Sequence, residues 1–195
     1  PASELAASRA IIISGGPSSV YESGSPTVDP AVFARGQAVL GICYGLQLMA
    51  HLLDGQVVKG EKGEYGLARL DVLDPGELFE GITASQQVWM SHRDTVAGLP
   101  GGFRLLGRTS TCPVAAMGHP DRRLYGVQFH PEVVHTHCGK EMLSNFLFRI
   151  AGCKKDWDPR HRVPQLEGLI RENASGRNVF FFVSGGVDSS VAYTL

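Results

Sequence analysis

The sequence predicts an α/β protein built on a mostly parallel sheet, with an added mixed or antiparallel β section and a short second unit at its C-terminal end. Three observations carry this prediction. "AIIISGGP" and "QAVLGICYGLQLMAHLL" are apolar runs that close on glycine-rich turns, as buried parallel strands do where they meet their loops and helices. Between Val57 and Phe129 the texture changes to short β-like runs separated by turn residues. Near the C-terminal end, "VFFFVSGGVDSS" repeats the strand, turn and helix order after a charged linker.

The elements follow in order. Ala10 to Ile13 reads as a buried strand running into Gly15-Gly16-Pro17. The second run is a strand, a tight turn and a helix whose Leu46, Met49, Ala50 and Leu53 recur at i, i+3, i+4 and i+7, one apolar face. "QVVKG", "LARLDVL", "QVWMSH", "FRLLGRT", "PVAAMGH" and "RLYGVQF" supply the mixed β section. "KEMLSNFLFRIAG" places Met142, Phe146 and Ile150 at helical spacing, with Gly152 available as a C-cap. "CKKDWDPRHRVP" (Cys153 to Pro164) is charged and carries two prolines, which marks a domain boundary. The expected domains are 1–156 and 157–195. In the second, "VPQLEGLIREN" is a helix with Leu166, Leu169 and Ile170 on its apolar face, "VFFFV" is a fully apolar strand, and a further helix opens at Val191.

Bulk properties narrow the function. The 195 residues are 43% hydrophobic and 19% charged, with a formal net charge of -1 and both signs interspersed. This excludes a strongly basic nucleic-acid surface and a membrane-facing patch. No apolar run approaches a membrane span and no cleavable signal is visible. Four sparse, unpatterned cysteines read as reduced thiols of a cytoplasmic protein. The first residue is Pro1 and a helix opens just before Leu195, so a fragment of a longer protein is expected.

The chemistry concentrates in three places. "GICYG" has the form of a nucleophile elbow with Cys43 in the serine's place. Gly41 and Gly45 permit a sharp strand-to-helix turn, and a helix starting near Tyr44 favours thiolate. By itself the pentapeptide also fits a buried cysteine in an ordinary turn. "GVQFHPEV" offers a base: in extended backbone His130 and Glu132, two apart, point to the same side. Glu132 would orient the imidazole and His130 would take the thiol proton. An oxyanion needs donors, and the Tyr44 N–H together with the flexible backbone of Gly15 and Gly16 can provide them. Each motif has a bland alternative, a polar strand end or a plain turn; together they favour a Cys43, His130, Glu132 triad.

In the order "SGGP", "GICYGLQ", "MSHRD", "YGVQFHPE", the sequence resembles the class I, triad-type glutamine amidotransferases, whose sheet is flavodoxin-like, over roughly Ala10 to Gly152. The resemblance implies hydrolysis of the glutamine side-chain amide through a thioester on Cys43. It implies that Gln47 and the segment holding Ser91, His92 and Asp94 bind the substrate's amino-acid end. It also implies that at least one βαβ unit normally precedes the "SGGP" strand. Arg93 stands where related synthetases often carry glycine ("SHGD"), a costly replacement if the backbone there needs φ > 0.

The C-terminal "SGGVDSS" resembles the pyrophosphate loop of the ATP pyrophosphatases. That resemblance implies that Ser184, Gly185, Gly186, Val187, Asp188, Ser189 and Ser190 hold ATP with its Mg²⁺, and no Gly-Lys-Ser/Thr ending argues for an ordinary P-loop. A triad-type amidotransferase followed directly by this loop resembles the synthetases that adenylylate xanthosine 5′-monophosphate (XMP) and aminate it with glutamine nitrogen, homodimers when full length. The alternatives are a glutaminase component of anthranilate, carbamoyl-phosphate or CTP synthesis, a non-catalytic domain of the same fold, or a fragment without synthetase activity. No prosthetic group is expected, nor a metal set: "HTHC" (His135, His137, Cys138) lacks a second paired motif.

Overall fold

The computed structural model describes residues 5, 7–156, 158–180 and 182–194, which separate into two compact units, Pro1–Cys153 and Lys154–Leu195. In the first unit the strands are β1 (Ala10–Ile13), β2 (Ala38–Ile42), β3 (Gln56–Val72), β4 (Ser85–Gly98), β5 (Arg104–Arg108), β6 (Ala116–His119) and β7 (Leu124–Val127). They form one seven-stranded sheet in the order β1-β2-β7-β6-β5-β3-β4. β1, β2 and β7 pair in parallel. The pairs β7–β6, β6–β5, β5–β3 and β3–β4 are antiparallel. Four of these six strand pairs are antiparallel, so the sheet is mixed rather than mostly parallel, and β7 is the seam between its two sections.

Burial follows from these positions. β2 is buried at all five residues, as a strand covered on both faces must be. Its successive side chains alternate between two cores. Val39 packs with Leu46, Met49, Met117 and Leu124 under the helix α1 (Tyr44–Leu52). Leu40 packs with Phe79, Tyr125, Phe129, Met142 and Phe146 under the helix α2 (Gly139–Ser144). β1 differs from the buried strand expected: only Ile11 is buried, and Ile12 is 44% exposed. It lies at the sheet edge with β2 as its neighbour, so one side of it lacks a strand among the described residues.

α2 continues as a π-helical turn, Asn145–Ile150. The apolar residues here stand four apart, and in a pure α-helix each such step drifts by about 40°. The wider π turn offsets that drift, so Met142, Phe146 and Ile150 are all buried. Gly152 at φ 64 ends the element, with the Cys153 N–H donating to the Leu147 carbonyl.

The second unit holds helices α3 (Arg162–Ala174) and α4 (Val187–Thr194). α3 forms as expected, but none of its described side chains is buried and its apolar face is open, with Leu169 50% exposed. The predicted strand is absent among the described residues: 178–180 and 182–184 are irregular, and Phe180 and Phe182 are 87% and 94% exposed. Phe181 lies outside the described residues. A parallel strand exists only by pairing with a neighbour, and no other described residue of this unit is in a strand. α4 begins at Val187 rather than at Val191, which puts Asp188 in its first turn.

Gly45 shows how tightly the elbow is packed. A Cβ there would overlap the Ile13 carbonyl, and one on Gly41 would meet the Gly45 carbonyl at 2.5 Å. Gly45→Ala should therefore lower stability by about 3 kcal/mol in a chemical-denaturation experiment. Gly101→Ala, with nothing near its Cβ, should stay within about 0.5 kcal/mol of the parent.

Candidate active site

One residue separates β2 from α1, and it is Cys43. Its backbone adopts φ 53 and ψ -106, a strained conformation for a non-glycine residue that costs of order 1–3 kcal/mol and persists only where its surroundings enforce it. Here they do. The Cys43 N–H donates to the Val127 carbonyl at 2.8 Å, and the Gln47 N–H donates to the Cys43 carbonyl at 3.2 Å. The glycines on either side allow α1 to sit directly against β1 and β2. The thiol is thus carried at the C-terminal edge of the parallel strands, over the N-terminus of α1. It donates toward the Ser91 carbonyl at 3.6 Å.

His130 arrives from the chain just after β7. Its backbone N–H donates to the Trp89 carbonyl at 3.0 Å, and its carbonyl accepts from the Thr136 hydroxyl at 2.6 Å. The ring Nδ1 lies 2.7 Å from Glu132 Oε1. A carboxylate only accepts, so Nδ1 carries the proton and the lone pair or second proton resides on Nε2. Nε2 is buried with no hydrogen-bond partner in the protein. The ring and the thiol flank one glycine: a methyl on Gly15 would meet His130 Cε1 at 3.2 Å and Cys43 Cβ at 3.6 Å. Cys43 above all, then Glu132, pushes the His130 pKa up to about 9 against the opposing effect of burial.

The cleft in front of these groups encloses about 710 Å³, and Gly15, Gly16, Cys43, Gln47, Ser91, His92, Asp94 and His130 all line it. These predicted residues therefore converge, although they do not all act alike. Gln47 is buried and its amide donates to the Asp94 carbonyl at 2.7 Å and to Gln128 at 3.2 Å. It braces β4 from below. Tyr44 packs its ring on Gly16 and sends its hydroxyl to the Pro26 carbonyl; its backbone N–H belongs to the first turn of α1, where helices lack internal acceptors.

β4 explains the "SHRD" segment. Its burial alternates strictly from Gln86 to Val96, and His92 and Asp94 occupy inward positions. Arg93 points outward to the cleft mouth and is not among the positive-φ residues. The strain anticipated for an arginine at this position is therefore not present, because extended backbone tolerates any side chain. Tyr21, Glu22, Lys59 and Tyr65 also line the cleft. No motif announces them; Lys59 and Glu64 bracket the residues that bulge from β3 opposite Arg93, and Tyr65 follows next in the strand.

Of the "HTHC" residues, His135 stacks on Trp89 with ring centroids 4.7 Å apart and His137 Nε2 lies 3.1 Å from the Gln87 amide. In the second unit, Gly185 takes φ 81 and the Gly186 N–H donates to Ser184 Oγ at 3.4 Å. Val187 to Ser190 form the first turn of α4. The side chain of Ser189 lies outside the described residues.

A family model for class-I glutamine amidotransferases matches residues 1–150. The chain belongs to that family. Among curated relatives, a protein of Parafrankia sp. called GMP synthase [glutamine-hydrolyzing] is 51% identical over 100% of this chain and 37% of its own length. One from Symbiobacterium thermophilum with the same name is 52% identical over 96% and 37%. The amidotransferase chain thus spans about 37% of the length of these relatives. Among solved structures, a candidate GMP synthase component from Thermoplasma acidophilum superposes with a TM-score of 0.67 at 29% identity, over 85% of this chain and 80% of that one.

The His130 environment predicts a titration. Because its folded pKa is raised from 6.5 to about 9, the protonated ring should stabilise the fold fully below about pH 6.5 and lose that contribution as pH rises through about 9. NMR of the ring Cε1–H should show a midpoint near 9. In Cys43→Ala, with the largest cause removed, the midpoint should fall; an unchanged midpoint would mean that Cys43 does not hold the proton there.

Proposed function

We propose that this chain is the glutamine-hydrolysing part of a GMP-forming synthetase. The observation that carries the reading is the strained Cys43 turn facing His130 Nε2, with Nδ1 held by Glu132 at 2.7 Å. Cys43, its proton already held on His130, attacks the side-chain amide carbon of glutamine as the thiolate. The negative charge that builds on the amide oxygen falls to the Tyr44 N–H and to the Gly15–Gly16 backbone beside it. His130 then protonates the departing nitrogen, which leaves as ammonia, and a thioester remains on Cys43. Water, deprotonated by the same imidazole, opens the thioester to release glutamate and restore the thiolate. Glu132 holds the ring and balances its charge throughout.

The ammonia is consumed in the complete protein by XMP adenylylated from ATP, giving GMP, AMP and pyrophosphate. The relatives' names and the "SGGVDSS" sequence support this step, with Ser184 to Ser190 holding the pyrophosphate end of ATP and Asp188 near its Mg²⁺. A homodimer in the cytoplasm belongs to the same reading. The half-identical relatives weigh against a glutaminase serving another synthesis.

In the complete protein, Cys43→Ala should lower glutamine-dependent GMP formation by about 10³-fold or more while leaving synthesis from added ammonium. Loss of both activities in a folded variant would refute this division of labour. Asp188→Ala should abolish synthesis from either nitrogen source, and unchanged ammonium-dependent synthesis would remove Asp188 from the ATP site.

A further inference from the structure

Behind the wall of the cleft, Glu64, His92 and Cys112 bring a carboxylate oxygen, an imidazole nitrogen and a thiol sulfur within 4.8 Å of one another. They come from β3, β4 and the turn after β5, so no sequence spacing announces them. His92 is 8% exposed, and its buried Nε2 has no hydrogen-bond partner although Glu64 Oε2 lies 3.4 Å away. Nδ1 lies 2.9 Å from the Asp94 carbonyl. A carbonyl only accepts, so Nδ1 bears a proton and Nε2 is the ring nitrogen that faces the cluster and is open to a ligand bond.

The surroundings are those a metal-binding histidine and carboxylate require. The Thr109 hydroxyl donates to Glu64 Oε1 at 3.1 Å and accepts the Cys112 N–H at 2.9 Å. One side chain thereby orients the carboxylate and fixes the turn that delivers the thiol. The His92–Glu64 separation also fits. Two N/O ligands about 2.05 Å from a tetrahedral ion lie roughly 3.3–3.5 Å apart.

The geometry points to a binding site for a borderline-soft divalent cation of the zinc type, with His92 Nε2, Glu64 and the Cys112 thiolate as ligands and one coordination position left open. Binding releases the Cys112 proton to solvent. The cleft gives access, since His92 also lines it. A bound ion ties β3, β4 and the Thr109–Cys112 turn together at the stretch of β4 that carries Ser91 and Asp94.

Cobalt(II) added to this chain carrying Cys43→Ala tests the site without interference from the Cys43–His130 pair. One equivalent should bind, with a thiolate-to-cobalt charge-transfer absorption that zinc displaces. Replacing Cys138 and Cys153 with serine should leave the band; Cys112→Ser should abolish it. Thr109→Val should weaken binding by about 10–100-fold, with melts in the absence of metal showing that each variant is folded. Failure of the Cys43→Ala chain to bind cobalt at millimolar concentration, loss of the band in the Cys138/Cys153 variant, or its survival in Cys112→Ser would overturn the proposal.

Discussion

The contact on which the rest of the site depends is that between Gly45, in the first turn of α1, and the carbonyl of Ile13 at the end of β1. No side chain fits between them, so the helix meets the sheet backbone to backbone. That closeness leaves a single residue to turn the chain from β2 into α1, and Cys43 adopts φ 53 to do it. The same contact fixes the loop beyond Ile13, because Ser14 to Gly16 continue from the carbonyl that Gly45 touches. The nucleophile and one set of oxyanion donors are therefore referenced to one point. Moving α1 outward by a methyl group would relax the turn, withdraw the thiol, and alter the oxyanion site together.

The first unit carries two His–Glu pairs, and their surroundings separate their chemistry. His130 and Glu132 stand at the cleft, with side chains 18% and 46% exposed; His130 Nε2 faces the thiol, and the pair can exchange protons with substrate and water. His92 of β4 and Glu64 of β3 are drawn inward, with side chains 5% and 16% exposed. There Nδ1 is committed to a backbone carbonyl, and the free nitrogen faces a second cysteine rather than the first. The alternation of β4 puts His92 inward and Arg93 outward, so adjacent residues serve a buried cluster and an open mouth.

Much of the site was legible because its determinants are local. A turn that needs small residues on either side of a nucleophile must show as glycine, cysteine, glycine within five residues. His130 and Glu132 read as a pair because two residues of extended chain share a side. The helix around Met142 and its Gly152 end were legible for the same reason, although the π turn that keeps three residues at four-residue spacing on one face was not. Gln47 was read as a substrate contact; it lines the cleft, and its amide nitrogen is held by the Asp94 carbonyl and Gln128. The doubt raised by Arg93 came from a motif comparison and is answered by backbone that is simply extended.

What the sequence by itself determined is the set of short-range constraints: which strand ends in an elbow, which histidine has a carboxylate beside it, and that the class of chemistry is acyl transfer. Only the tertiary structure decided the pairings. Hydrogen bonding across the sheet puts β7 between β2 and β6 and so brings His130 to Cys43, 87 positions away in the chain. It also gathers Glu64, His92 and Cys112 from three segments that no spacing rule connects. "VFFFV" shows the same limit from the other side. Its composition is that of a strand, yet a strand is made by its neighbour, and the described residues of its unit provide none.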